Sequence, residues 1–255
     1  MITVSELYSY FDKKIPRALS CEWDNDGLMV CADGKKPVKK VLFALDVTDE
    51  VADFAISGGY DVIISHHPLI FAPLRAINAE NPVCARALRL IAAGISVFSF
   101  HTRLDALEGG VNDILAATLG LCDAVPFGPA GEEMGRVGKL PRALTPAEFS
   151  ALVKEKLSAH ITGHFTGEEI KTAAVIGGSG KDFIRAAKAY GADVILLGEA
   201  GYHAVLDATA EGISIVEAGH FETEIGVGAF FVSALAEDFP QLTADIYPGG
   251  SPLVH

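Results

Sequence analysis

Apolar and polar positions along the chain recur with two different periods. Val41-Leu-Phe-Ala-Leu, Val62-Ile63-Ile64 and Ile95-Ser-Val-Phe-Ser-Phe are short apolar runs of the kind that form buried strands. Helical stretches lie between them. Thr48 to Ile56 opens on an N-cap threonine, and Gly58-Gly59 breaks it. Asn81-Pro82 opens a second helix that runs to about Ala93, with Gly94 as its stop. Before these, Thr3 and Glu6 fit a capping box, and Leu7, Tyr10 and Phe11 share one helical face. Later helices are predicted from Val111 to Leu119, and from Thr145-Pro-Ala-Glu to about Leu157. Strands alternating with helices predict an α/β fold with a mainly parallel sheet.

Residues 121–135, LCDAVPFGPAGEEMG, break this rhythm with glycine, proline and acid. They mark the expected lobe boundary, with lobes at 1–125 and 126–255. A strand is expected to follow at Gly135-Arg-Val-Gly-Lys-Leu.

An internal repeat points the same way. With a shift of 132, the stretch from Val41 to Phe71 aligns without gaps on the stretch from Ala173 to His203. Gly59 then meets Gly191, Asp61 meets Asp193, and Val62-Ile63 meets Val194-Ile195. Further on, Gly94-Ile-Ser-Val meets Gly212-Ile-Ser-Ile at a different offset. Any two strand-helix-strand units share apolar patterning, so generic similarity is one reading. Duplication is the favoured one, because the order of elements recurs and each copy ends on a histidine followed four residues later by an acid. The fold expected is two related α/β lobes with mainly parallel sheets facing a shared metal-binding cleft.

Candidate chemistry collects where strands should end. Pro68 cannot join a sheet ladder, so Ser65-His66-His67-Pro68 closes the run Val62-Ile63-Ile64 and puts two imidazoles at its carboxyl end. His101-x-x-x-Asp105 and His220-x-x-x-Glu224 sit at corresponding places, and Glu199, His203 and Glu222 lie nearby in sequence. Imidazole with carboxylate and no thiolate suits Zn, Mn, Fe, Co or Ni. Each residue also has an ordinary explanation: Asp105 and Glu224 as helix caps, His101 and His220 as satisfied core histidines. Their shared position at strand ends favours a site.

Other signals are weaker. Cys21-Glu-Trp-Asp-Asn-Asp-Gly reads equally as a plain turn and as a loop at the site rim. His160 and His164 read as surface or turn histidines. Gly177-Gly178-Ser179-Gly180 reads as a strand-to-helix turn before it reads as a phosphate cradle, and no GxxxxGK[ST] motif occurs.

Composition narrows the partners. The chain has 255 residues, half of them hydrophobic, and a net charge of -13, which argues against non-specific nucleic-acid binding. Its 4 cysteines are scattered without a CxxC, as expected of free thiols in a reducing cytosol. No secretory signal and no membrane-length apolar run is read, so a cytoplasmic protein without membrane contact is expected.

WDNDGL, SHHPLIF, HTRLDA, Gly198-Glu199 followed by a histidine, and GHFETE together resemble the NIF-three-like family, whose members are described as GTP cyclohydrolase type 2 homologues. The motifs span Trp23 to Glu224. The resemblance implies two divalent metal ions per chain held by His66, His67, Asp105, His220 and Glu224. It also implies a toroidal homohexamer. Some members carry a domain inserted between the lobes, which a chain of this length is expected to lack. Arg103 stands where the family usually has asparagine, which leaves the contacts around that position open.

The function expected is a dinuclear-metal-dependent hydrolase acting on a small molecule, with a nucleotide as one candidate. Hydrolytic opening of the guanine ring of GTP by metal-activated water is the form the resemblance implies. His101 is the candidate catalytic residue, as proton shuttle or as a positioning group. The alternatives are a non-catalytic metal-binding scaffold or regulatory protein, and a metal-dependent phosphoesterase.

Overall fold

The computed structural model describes residues 1–251, and the chain divides into two compact units. The first comprises Met1–Leu104 and Gly228–Gly249, and the second has Asp105–Val227 as its body. The division therefore falls elsewhere than at 125/126. Those residues lie inside a strand, Cys122–Phe127, and the chain returns to the first unit at Gly228.

The first unit opens with helix α1, Val4–Lys14, whose Thr3–Glu6 capping box is formed as its sequence predicts. Strands β1 (Gly27–Val30), β2 (Lys40–Ala44), β3 (Val62–Ser65) and β4 (Ser96–Ser99) follow. Helices α2 (Asp49–Gly58) and α3 (Pro82–Ala92) make the crossovers. Thr48 caps α2, and Asn81 caps α3 with Pro82 at the first helical position. The short helix α4, Thr102–Ala106, follows β4 and contains the point where the chain passes from one unit to the other.

The second unit holds α5 (Val111–Thr118), β5 (Cys122–Phe127), β6 (Gly135–Leu144), α6 (Pro146–Leu157), β7 (Thr162–His164) and β8 (Ile170–Ser179). It continues with α7 (Ile184–Ala189), β9 (Val194–Glu199), α8 (Tyr202–Glu211), β10 (Ser214–Glu217) and α9 (His220–Glu224). The chain then re-enters the first unit as α10 (Gly228–Asp238) and β11 (Thr243–Ile246).

The first sheet has the order β1-β4-β3-β2-β11, parallel except for β1 against β4. Its central strands are buried on both faces, which is why they read as continuous apolar runs. Leu42, Ile63 and Val97 join a core with Val51, Ala55 and Leu90 from α2 and α3. Phe43 and Phe100 meet Phe231 of α10, at ring-centroid distances of 5.1 and 5.9 Å, and Phe11 of α1 lies 5.3 Å from the same ring. A buried Phe contributes about 1.5–3 kcal/mol relative to exposure, so Phe231 is a main anchor of the returning chain.

The second sheet has the order β5-β6-β8-β9-β10-β7. Its centre, β8-β9-β10, is parallel, and antiparallel strands are added on both sides. Part of the stretch expected to be a linker is the edge strand β5, where Pro126 is tolerated because an edge strand has ladder positions to spare. His164 ends the exposed strand β7.

The repeat is present as backbone geometry. Val41 pairs with Val62 in the first sheet, and Ala173 with Val194 in the second, both pairs being related by the shift of 132. Asp61 accepts hydrogen bonds from the N–H groups of Lys39 and Lys40, and Asp193 accepts them from Lys171 and Thr172. Gly59 and Gly191 both take the left-handed conformation, at φ 65° and 81°, where a side chain would be strained.

Candidate metal centre

Three histidines gather at the carboxyl ends of β3 and β4. One ring nitrogen from each of His66, His67 and His101 lies within 4.8 Å of the others. Their ring centroids are 5.0 Å (His66–His67), 5.3 Å (His66–His101) and 5.6 Å (His67–His101) apart. His66 is fully buried, and the other two are partly exposed.

The partners of the Nδ1 atoms decide what these rings can do. His66 Nδ1 lies 2.9 Å from the carbonyl oxygen of Phe100, which can only accept, so Nδ1 carries the proton. His67 Nδ1 lies 2.9 Å from Asp46 Oδ1, and His101 Nδ1 lies 2.9 Å from Asp24 Oδ1. In the second unit, His220 Nδ1 lies 3.2 Å from Glu199 Oε1. His220 has a carboxylate near both ring nitrogens, whereas the Phe100 carbonyl sets His66 in the tautomer that puts the lone pair on Nε2, and the carboxylates at Nδ1 favour the same form for His67 and His101. Metal-ligating histidines take this form, donating their other N–H to a carboxylate or carbonyl. The donor set therefore fits divalent metal.

The second unit contributes a pair on one short helix. His220 Nε2 lies 3.3 Å from Glu224 Oε2, one helical turn on, and Glu224 is 4 % exposed. Gly178, at φ +64°, makes room for them: a Cβ there would collide with Glu224 Oε1 and come within 2.9 Å of His220 Nε2. The glycine loop is thus a turn that accommodates these donors. The N–H groups of Gly177, Gly178 and Gly180 already donate to Asn112 Oδ1, Thr223 Oγ1 and the Glu199 carbonyl, which leaves them engaged and closed to a phosphate.

Asp105 lies within α4, and its carbonyl accepts from Asn112 Nδ2 at 3.2 Å. It does not cap α5, whose N-cap is Gly110. Glu224 likewise lies inside its helix. The capping explanation fails for both.

The repeat carries one displacement. Phe100 N–H donates to the Ser65 carbonyl as Ala218 N–H donates to that of Leu197, so His101 corresponds to Gly219 and not to His220. His101 precedes its helix, while His220 is the first residue of its own. One residue is about a quarter turn of helix, so the two histidines leave equivalent backbones in different directions.

Asp24 binds His101 Nδ1 and also accepts from Thr102 N (3.0 Å) and Thr102 Oγ1 (2.6 Å). Burial raises its pKa, but the hydrogen bonds from His101 and Thr102 outweigh burial and bring it down to about 2. It is therefore ionised at neutral pH.

Arg103 is fully buried and faces protein groups of its own unit. Its Nε lies 3.0 Å from Asp26 Oδ2, and its Nη1 lies 2.8 Å from Asp12 Oδ1 and 2.9 Å from the Ile15 carbonyl. The position left open in the sequence is a strut between α1, the Trp23 loop and α4. Asp46 is the functional residue that sequence reasoning misses. It follows β2, so the strand-end rule that singles out His66 also finds it.

Two α/β units carry histidine and carboxylate groups that could hold a metal ion. The chain belongs to the Duf34/NIF3 (NGG1p interacting factor 3) family, whose model matches residues 2–247. It is 34% identical over 227 residues to a GTP cyclohydrolase 1 type 2 homolog of Clostridium perfringens (strain 13 / Type A), covering 87% of this chain and 86% of that one. Among solved structures, a Bacillus cereus protein related to NIF3 superposes with a TM-score of 0.89 at 25% identity, covering 100% of this chain and 99% of that one. Reduced HcgD from Methanocaldococcus jannaschii gives 0.85 at 27% identity, covering 97% and 98%. Among the described residues, no helix is long and apolar enough to cross a membrane.

Proposed function

We propose that the protein is a metal-dependent hydrolase whose two divalent ions are held by His66, His67, Asp105, His220 and Glu224. The observation that carries this is the oxygen partner at every imidazole Nδ1, which holds each ring and leaves Nε2 as the atom to meet an ion, with Glu224 beside that of His220. Divalent ions bound by such residues supply Lewis acidity at neutral pH. The remaining work falls to the chain. His101 takes and returns a proton at Nε2, while Asp24 holds Nδ1 and stabilises the imidazolium that forms. Asp46 and Glu199 hold the rings of His67 and His220 in the same manner.

The substrate proposed is a small molecule, and the names of the relatives make a nucleotide such as GTP the first to try. A cytoplasmic homohexamer is part of the same proposal and rests on the family resemblance. Metal-loaded protein should be incubated with GTP, other nucleotides and phosphoesters. Metal-dependent product that disappears in His67→Ala supports the hydrolase. Inactivity across the panel with metal retained would favour the alternative, a metal-binding scaffold.

A further inference from the structure

Two large rings stand exposed beside His101, on two segments that are tied to one another. Trp23 is 56 % exposed and Phe71 is 53 % exposed. Their centroids are 6.3 Å apart with planes at 67°, and they lie 6.3 and 6.2 Å from the His101 ring. Exposed aromatics on mobile loops mean little, but the Trp23 segment is held at successive residues. The Asp24 carboxylate is buried against His101 and Thr102. Asn25 Nδ2 donates to the Ile70 carbonyl at 2.5 Å, which ties the Trp23 segment to the Phe71 segment. Asp26, 3 % exposed, is paired with the buried Arg103. Holding two half-exposed aromatic side chains in contact with water costs stability, and buried polar groups beside Trp23 hold its segment in place.

We propose that Trp23 and Phe71 form a stacking corner that binds a planar heteroaromatic ring, of the nucleobase class, beside the histidines. An alkyl chain would call for a closed, dry groove. A corner of two π faces open to water suits a flat ring with polar edges, and such stacking tolerates different bases. The polar neighbour along one side is His101, which can meet ring nitrogens or exocyclic groups. The proposal deepens the hydrolase reading by naming how its substrate is held, but the corner itself needs no metal.

Trp23 is the only tryptophan in the chain, so its fluorescence reports on this corner directly. Metal-free protein should be titrated with guanosine and adenosine, using ribose and inorganic phosphate as controls, and binding checked by calorimetry. Saturable quenching by both nucleosides and by neither control is expected. Phe71→Ala should weaken binding about tenfold, while Trp23→Phe, followed by calorimetry, should retain most of it. No response to either nucleoside, or equal affinity in Phe71→Ala, would overturn the corner. Metal uptake measured on the same preparations separates the two claims: lost uptake with nucleoside quenching intact sinks the metal reading alone, and intact uptake without quenching sinks the corner alone.

Discussion

The two lobes share a backbone plan and differ at its strand ends. After β3, the first lobe carries His66 and His67. At the end of β9, the second carries Gly198 and Glu199 at the positions related by the shift of 132. A Cβ on Gly198 would lie 2.5 Å from the Gly178 carbonyl oxygen and 2.9 Å from His220 Cα, so the second lobe has no room for the side chain that the first places there. Its imidazole comes instead from His220, with Glu199 holding Nδ1. A repeated backbone plan thus keeps its register and its acid clasp while the chemistry at each strand end is distributed differently.

The lobes also differ in how each uses a buried arginine, and breaking these should have the largest effect. Arg103 joins Asp12 and Asp26, whereas Arg136 binds Asp113 through Nε at 2.5 Å and Nη2 at 3.1 Å. Removing one partner of a buried pair costs about 3–5 kcal/mol. Arg103→Ala is expected to lose stability of this order in denaturant unfolding, because Asp26 is left buried, and Arg136→Ala to lose less, because Asp113 is partly exposed. Only Arg103→Ala should disturb the first lobe's histidines, because Asp26 Oδ2 also accepts from the His101 N–H at 3.3 Å. Histidine NMR shifts that move equally in both variants would erase that contrast.

Gly198→Ala comes next. The added methyl meets backbone that cannot step aside, and overpacking of this kind costs about 1–3 kcal/mol. A lowered melting temperature is expected, and an unchanged one would show that the loop at Gly178 can yield.

The smallest effect tests the part that the lobes share. Asp61→Asn and Asp193→Asn each weaken two backbone hydrogen bonds, at about 1 kcal/mol or less in thermal unfolding. Asp61 also meets Lys36 at 2.8 Å, which should make its loss the greater by roughly a few tenths of a kcal/mol at low salt. Burial raises the Asp61 pKa, but Lys36 and the N–H groups of Lys39 and Lys40 lower it below the ordinary value of 3.8. Its stabilisation is then complete above 3.8 and fades as pH falls through the lower folded value. An acid-side stability curve of Asp61→Asn that still showed this loss would contradict the assignment.

Much of this arrangement was legible in the sequence because it follows from local rules. Thr3 with Glu6, and Asn81 with Pro82, specify helix starts by contacts within a few residues, and both formed. The repeat register followed from glycines and aspartates that each have one conformational task. What stayed hidden depends on contacts distant in sequence. The return of residues 228–249 to the first unit is decided by Phe231 meeting Phe11, Phe43 and Phe100, which no local pattern announces. Strand β5 was concealed by Pro126, which is compatible with a strand only at an edge. The candidate donors were readable as strand-end residues, and the same rule reaches Asp46, but which oxygen meets which ring emerges only when strands lie side by side.

The central claim is that these imidazoles and carboxylates bind divalent metal. Elemental analysis of gently purified protein, repeated after metal loading and dialysis, tests it most directly. About two ions per chain are predicted for the wild type, with retained metal falling in His67→Ala and His220→Ala. Absence of metal together with no uptake on loading would contradict the account.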